Sequence, residues 1–203
     1  IDQFATEGVI CTQGYVTASV CSPSRAGLLT GRYQQRFGHE TNLRGKDVGL
    51  PLTERTLANR LGDLGYTTCA IGKWHLGGSY EQHPLSRGFD AFHGFLLGSR
   101  TYFSKPNNNV TQQSLMHNRV IVPEDDNRYL TDWMATKANE FIKIQTNQPF
   151  FLYVAFNAVH TPMQATPEDL SHFSEIEDSK RKKLAGMTLA LDRAVGSIMD
   201  TLK

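Results

Sequence analysis

Residues 53–75 read TERTLANRLGDLGYTTCAIGKWH, and this stretch decides the fold. Leu57, Leu61 and Leu64 recur at helical spacing behind Thr53, a residue type that caps helix starts. Gly65 stands where a helix ends in a left-handed residue. Tyr66–Ile71 is then a short β-rich run ending at Gly72, and Lys73 and His75 follow it at once. The same order returns downstream. Tyr129 to Ile144 has helical spacing, with Trp133, Ala138, Phe141 and Ile142 as its apolar positions. Pro149 to Phe156, PFFLYVAF, is apolar on both faces and is expected to be a central strand. Asn157 to Pro167 forms the loop leaving it. Helix, strand and polar loop in repeated order define an α/β fold, with helices packed on a mainly parallel sheet.

The flanks extend the pattern less regularly. Val9 to Tyr15 is β-rich and is expected to be a strand. Ser22 is expected to cap a helix running to Thr30, with Pro23 at its first position. Lys73 to about Asn127 is rich in Gly, Asn, Pro and Ser and is expected to be a long decorated loop region. The final KKLAGMTLALDRAVGSIMDTLK is an amphipathic helix with Leu184, Met187, Leu191, Val195, Ile198 and Leu202 close to one face. Phe4, Ala5 and Gly8 look like the last turn of another helix. With no initiator Met, no signal peptide and no cap at the far end, the chain is expected to be an internal part of one larger domain.

Composition bounds the function. The 203 residues are 39% hydrophobic and 20% charged, enough to bury a core and unlike a disordered tail, a collagen repeat or a coiled coil. No stretch approaches the roughly 18 apolar residues of a membrane span. Lys+Arg 21 against Asp+Glu 20 gives no reason to expect nucleic acid or an anionic membrane as partner. Three cysteines do not make a disulfide framework. Cys11 and Cys69 are expected to be packed thiols in strands. His39, His83, His93, His117 and His172 lack paired ligand spacing, so no zinc site is expected. Trp74 fits either a pocket wall or the core. Asn109-Val110-Thr111 is a glycosylation sequon, meaningful in a eukaryotic secretory protein.

The chemistry gathers in three loops placed where strands of an α/β sheet deliver ligands. VCSPSR puts Cys21 at a helix N-terminus, where unpaired N–H groups favour an anion and acidify a thiol. Arg25, one turn in, adds a fixed cationic fork. GKWHLGG carries Lys73 and His75, an ammonium and an imidazole suited to holding an oxyanion and moving a proton. NAVHTP carries His160.

CSPSRAGLLTGR resembles, position for position, the signature of the type I sulfatases, C-x-P-S-R followed by a spacer and L-T-G-R. Cys21, Pro23, Ser24, Arg25, Leu29, Thr30, Gly31 and Arg32 all match. GKWHLG is similar to the second signature of that family, G-K-W-H-x-G, and VHTPMQATP to its H-x-P loop, with His160 as the matching histidine. GFDAFHGFLLGS resembles a G-F-x-x-F-x-G motif followed by a sulfate-contacting serine, which points to Ser99, with the register about one residue off from some members.

The resemblance implies an alkaline-phosphatase-like, three-layer α/β architecture with a mixed, mainly parallel central sheet. It also implies a hydrolase of sulfate esters, arylsulfatase-like, in which a maturase oxidises Cys21 to formylglycine. In such enzymes the hydrated aldehyde attacks sulfur and the alcohol leaves. The second hydroxyl is then deprotonated and sulfate is expelled. Carried over by position, Cys21, Arg25, Lys73, His75 and His160 are the catalytic residues. Lys73, His160 and Ser99 bind sulfate, and His75 is the base. The implied metal is Ca2+, with Mg2+ as the alternative ion. Of its ligands only Cys21, as formylglycine, falls within residues 1–203, because the Asp pair and the D-N-G-like segment of the family lie outside them; Asp125-Asp126-Asn127 does not match either. The excerpt alone is therefore expected to be inactive and poorly folded. Secretion, or a periplasmic or lysosomal site, is implied by resemblance. Aryl sulfates, sulfated glycosaminoglycans, algal polysaccharides and steroid or lipid sulfates all fit this core as substrates. Two rivals are a two-zinc phosphatase or phosphodiesterase of the same architecture, opposed by the cysteine signature, and a non-catalytic binding relative, opposed by the joint presence of Cys21, Arg25, Lys73 and His75.

Overall fold

The computed structural model describes residues 1–42, 49–103, 113–123, 128–145 and 147–203; the sequon at Asn109 and the Asp125-Asp126 pair lie outside them. In chain order the elements are α1 (Asp2–Glu7), α2 (Cys21–Thr30), α3 (Leu57–Gly62), β1 (Thr67–Lys73), β2 (Ala91–Phe95), β3 (Met116–His117), β4 (Val120–Ile121), α4 (Leu130–Ile144), β5 (Phe150–Ala155), α5 (Pro167–Ser171) and α6 (Ser179–Leu202). The strands form one mixed sheet in the order β4-β3-β2-β1-β5. β1 runs parallel to both β2 and β5, while β3 and β4 continue the sheet antiparallel beyond β2.

Period-two alternation divides the core into two layers. On one face Cys69 and Ile71 of β1, Phe95 of β2 and Leu152 and Val154 of β5 meet Trp133, Met134 and Phe141 of α4 and Met187 and Ala190 of α6. On the other, Ala70, Phe92, Phe151 and Tyr153 meet Ala26 and Leu29 of α2 and Ala58 of α3. The result is helix–sheet–helix. The sheet centre is drawn tight by two glycines. Gly72 has φ +104, and a Cβ there would stand 2.3 Å from the Ala155 oxygen; a Cβ on Gly94 would stand 2.0 Å from the Gly72 oxygen. The pairs Gly72–Gly94 and Gly72–Ala155 therefore tolerate no side chain between the parallel strands.

Several expectations need correction. Val9 to Tyr15 is exposed coil rather than a strand, and Cys11 in it is an exposed thiol, because no partner strand meets this β-rich run among the described residues. Cys69 does pack, and burial pushes its thiol up to about 12. PFFLYVAF occupies the edge of the described sheet and β1 its interior, since continuous apolarity marks burial on both faces and says nothing of hydrogen-bonded neighbours. The segment after Lys73 contains β2, a short parallel strand that AFHGF conceals behind a glycine and a histidine. The face of α6 is centred on Met187, Ala190 and Ala194, with Leu184 and Leu202 exposed, because small residues let α6 approach α4 closely. Along α3 the buried residue is Ala58, while Leu57 and Leu64 are exposed.

Helix α3 begins three residues later than Thr53 implies. Thr56 is its N-cap: the Asn59 N–H donates to Thr56 Oγ1 at 3.2 Å and the Thr56 N–H donates to Asn59 Oδ1 at 3.0 Å. The Thr56 hydroxyl also donates to the Arg87 carbonyl at 2.6 Å. Thr56→Ala is expected to lower unfolding free energy by about 1–2 kcal/mol in denaturant titration of the full-length protein. Thr53→Ala, at an exposed position, should stay within about 0.5 kcal/mol. The reverse order would show that Thr53 starts the helix.

Candidate functional site

The carboxyl ends of β1 and β5 and the N-terminus of α2 meet at an open cleft of about 540 Å3. Its walls include Cys21, Arg25, Lys73, Tyr153, Asn157 and His160. Parallel pairing of β1 with β5 is what brings Lys73 and the loop of His160 to the same edge.

Cys21 is the first residue of α2, with Val20 as the cap, so Ser22 and Pro23 sit inside the first turn rather than at its border. The Ser22 N–H is taken by Asn42 Oδ1 at 2.9 Å, and Pro23 has no N–H. Of the first three positions only Cys21 keeps an unpaired backbone donor among the described residues, so the positive end of the helix is focused on it. Arg25 is oriented by two donations from Nη1, to the Lys73 carbonyl at 2.7 Å and to the Tyr153 hydroxyl at 3.3 Å. Lys73 is 3% exposed. Burial holds its ammonium below the usual lysine value, helped by Arg25 and opposed by contact with the Cys21 sulfur.

The backbone of His75 is left-handed, φ 58, and its N–H donates to the Leu96 carbonyl at 3.0 Å. Gly98 lies flat against its ring, where a Cβ would stand 2.5 Å from Cε1. Burial, then the charges of Lys73 and Arg25, lower the imidazole to about 4, so it is neutral near pH 7. His160 is exposed, and its Nδ1 lies 2.7 Å from the Thr161 carbonyl. A carbonyl only accepts, so Nδ1 carries the proton and the neutral ring keeps a lone pair on Nε2. The loop bearing it is fixed from below by Tyr102, whose hydroxyl lies 2.8 Å from the Asn157 carbonyl and 2.9 Å from the His160 carbonyl.

The structure thus brings Cys21, Arg25, Lys73 and His160 to one cleft, with His75 close enough to feel the charges of Lys73, Arg25 and His160. Ser99 does not line the cleft; its carbonyl accepts from Gln113 Nε2 at 3.1 Å. Trp74 belongs to the core, 1% exposed, with Nε1 donating to the Gln82 carbonyl. Arg32 reaches away from the cleft and forms a forked pair with Glu54 at 2.7 and 2.6 Å, so the second half of the cysteine motif anchors α2 rather than entering the site. Sequence reasoning missed Tyr153, Tyr102, Asn42 and His39. Of these only Tyr153 left a trace, as the one polar tip on the alternate face of FFLYVAF. A separate cavity of about 130 Å3 lies under α4, lined by His93, His117 and Trp133, and holds none of these strand-end residues.

The sulfatase family pattern matches residues 1–203. The chain is 35% identical to mouse arylsulfatase J over 100% of its own length and 35% of that protein. It is 33% identical to mouse N-acetylgalactosamine-6-sulfatase, again over 100% of this chain and 42% of that one. Among solved structures, Ps i-CgsB in complex with k-i-k-neocarrahexaose superposes with a TM-score of 0.86 and 38% identity, covering 93% of this chain and 45% of that one. This chain belongs to the sulfatase family, whose members are generally formylglycine- and metal-dependent, and its sheet and flanking helices are part of the alkaline-phosphatase-like fold of those neighbours. It spans less than half the length of each of these three relatives.

Burial fixes a pH dependence. His75, His83 and His93 are each lowered to about 4 by burial, and His39 is lowered by the same cause. In the unfolded chain they titrate near the ordinary value of about 6.5, so the unfolded state binds more protons between the two values. Their contribution is complete above about pH 6.5 and is lost as pH falls toward 4. Denaturation midpoints of the full-length protein are expected to fall steadily between these limits. A flat profile over that window would contradict the neutral, buried state.

Proposed function

We propose that this chain forms the nucleophile-bearing part of an enzyme that hydrolyses sulfate esters to an alcohol and sulfate. The observation that carries it is Cys21 at the first position of α2, facing a cleft in which Arg25 and Lys73 converge from two different elements. Residues 1–203 are part of a single catalytic domain. A maturase converts Cys21 to formylglycine, which when formed supplies an oxygen nucleophile that a thiol side chain lacks.

The chain's own groups account for the rest. A sulfate monoester carries one negative charge, which spreads over its oxygens as the ester bond breaks. Arg25, locked by the Lys73 carbonyl and Tyr153, and the desolvated Lys73 are fixed before the reaction, so they stabilise that charge without reorganisation. His75, neutral at the working pH, removes a proton from the oxygen nucleophile or from its second hydroxyl. His160 lines the cleft with Nδ1 taken by the Thr161 carbonyl, which leaves Nε2 to accept a hydrogen bond when neutral and to donate to sulfate or to the leaving oxygen when protonated. Ser99, absent from the cleft lining, takes no part in this mechanism.

The metal is Ca2+, or Mg2+ as the alternative. Among the described residues there is no group of three His, Cys, Asp or Glu that would hold an ion, and the charged groups beside Cys21 are cations. A hard cation needs about six oxygen ligands. The described residues by themselves do not fit it, and the chemistry assigned to this chain rests on its cations and imidazoles. The substrate is a sulfate ester borne by a sugar, supported by the open cleft and by similarity to N-acetylgalactosamine-6-sulfatase and to Ps i-CgsB bound to a neocarrahexaose. Export from the cytosol, to the medium, periplasm or lysosome, follows from the family resemblance. No helix among the described residues is long and apolar enough to cross a membrane.

Peptide mass spectrometry of the full-length protein, made in a host with a maturase, is expected to show a deficit of about 18 Da at Cys21. An intact thiol throughout would return Cys21 to an ordinary cysteine and overturn the reading. In the converted enzyme, Arg25→Ala and Lys73→Ala are each expected to lower kcat/KM for a sulfate ester by about 10²–10³-fold. Retention of activity in both would remove the cationic cleft from the mechanism.

A further inference from the structure

The residue following the nucleophile position carries a contact that the mechanism above does not use. The Ser22 hydroxyl lies 2.6 Å from the carbonyl oxygen of His75 and 2.6 Å from Nε2 of His39. Ser22 is 2% and His39 1% exposed, so no bulk water competes for these groups. With the His39 ring neutral and both contacts hydrogen-bonded, one proton arrangement satisfies them. The His75 carbonyl has only lone pairs, so the single hydroxyl proton of Ser22 goes to it. The hydroxyl oxygen must then accept from His39, which fixes the proton of the neutral His39 ring on Nε2. Burial lowers the His39 imidazole and outweighs the opposing backbone contact with Gly49, in keeping with that neutral form.

The bond to the His75 carbonyl matters because of where His75 sits. Its φ of 58 is a left-handed conformation that a residue with a side chain adopts at some cost. Among the described residues, three contacts hold it there: the N–H to the Leu96 carbonyl, Gly98 under the ring, and the carbonyl to Ser22. Only the last ties His75 to α2. Ser22 in turn cannot drift, since its own N–H is held by Asn42.

We propose that Ser22, oriented by His39, is a positioning residue that sets His75 relative to position 21. It acts through the His75 backbone rather than on the substrate. The proposal rests on the sulfatase reading, with His75 as the base. Misplacing a reacting group by about 1 Å costs on the order of 10²-fold in rate.

The experiment uses the full-length protein and 4-methylumbelliferyl sulfate, with formylglycine content measured for each variant so that rates refer to converted enzyme. Ser22→Ala is expected to lower kcat about 10²-fold with KM within about twofold, and Ser22→Thr, which keeps the hydroxyl, to restore most of it. His39→Leu should lower kcat in the same way, while His39→Gln, whose amide nitrogen replaces the Nε2 donor, should recover it. The double variant Ser22→Ala/His39→Leu should lose no more than about threefold beyond Ser22→Ala, because both act through one bond. If Ser22→Ala fails to fold, the His39 pair decides. An active wild type with kcat of Ser22→Ala or His39→Leu within about threefold of it overturns the positioning role alone. Equal losses in Ser22→Thr and His39→Gln also overturn it, as packing defects. A converted wild type that turns over no sulfate ester overturns the sulfatase reading and this inference with it.

Discussion

The donation from Arg25 to the carbonyl of Lys73, 2.7 Å long, is the join on which the rest of the site depends. It fastens Arg25, one turn into α2, to the last residue of β1, so a helix N-terminus and a strand end meet at fixed distance. It works with the Ser22 contact to the His75 carbonyl, which ties α2 to the residues just after β1 across an apolar layer of Ala26, Leu29 and Ala70. The same guanidinium also reaches Tyr153 on β5, which ties the third wall of the cleft to the other two. The side chain proposed to serve the chemistry is here also a scaffold bond, so its geometry is set by folding.

Electrostatics follows from that join. The residues lining the cleft include Arg25, Lys73 and His160 but, among those described, no Asp or Glu. Two cations brought together without a counter-charge raise the free energy of the empty site, and an anion relieves it. Lys73 is an ammonium held below its usual value by burial first and by Arg25 to a lesser degree. In His75, burial and the same two cations keep the ring neutral. A neutral imidazole beside fixed positive charge is the arrangement that accepts a proton near an anionic substrate while leaving the anion bound.

The legible part of the fold was its alternation of helix, strand and loop. α4 matched its apolar spacing because Trp133, Ala138, Phe141 and Ile142 are all buried. β1 and the strand character of Phe150–Ala155 were equally plain. Errors arose where a local signal had a non-local meaning. Thr53 and Thr56 are both cap residue types, and the choice fell to Thr56 because Asn59 and the Arg87 carbonyl complete its bonds. Val9 to Tyr15 has strand composition but finds no partner. AFHGF looks unlike a strand because glycine is needed at Gly94 for close approach to β1.

The sequence by itself determined the chemical inventory: a cysteine in a modification signature, a nearby arginine, Lys-x-His after a strand, and a histidine in a loop after another. Such motifs are written in order along the chain and need no partner to be recognised. Tertiary structure alone decided which of them meet. Parallel pairing of β1 with β5 put Lys73 and His160 on one edge, and packing on the two sheet faces set α2 above that edge. It also separated roles within one motif, turning Arg25 into the cleft and Arg32 onto Glu54. The contact between Ser22, His39 and His75 joins residues 17 and 53 positions apart, and no spacing rule reaches that far. Sequence separation carries no distance information once the chain has folded back, and hydrogen-bond geometry is fixed only when both partners are in place.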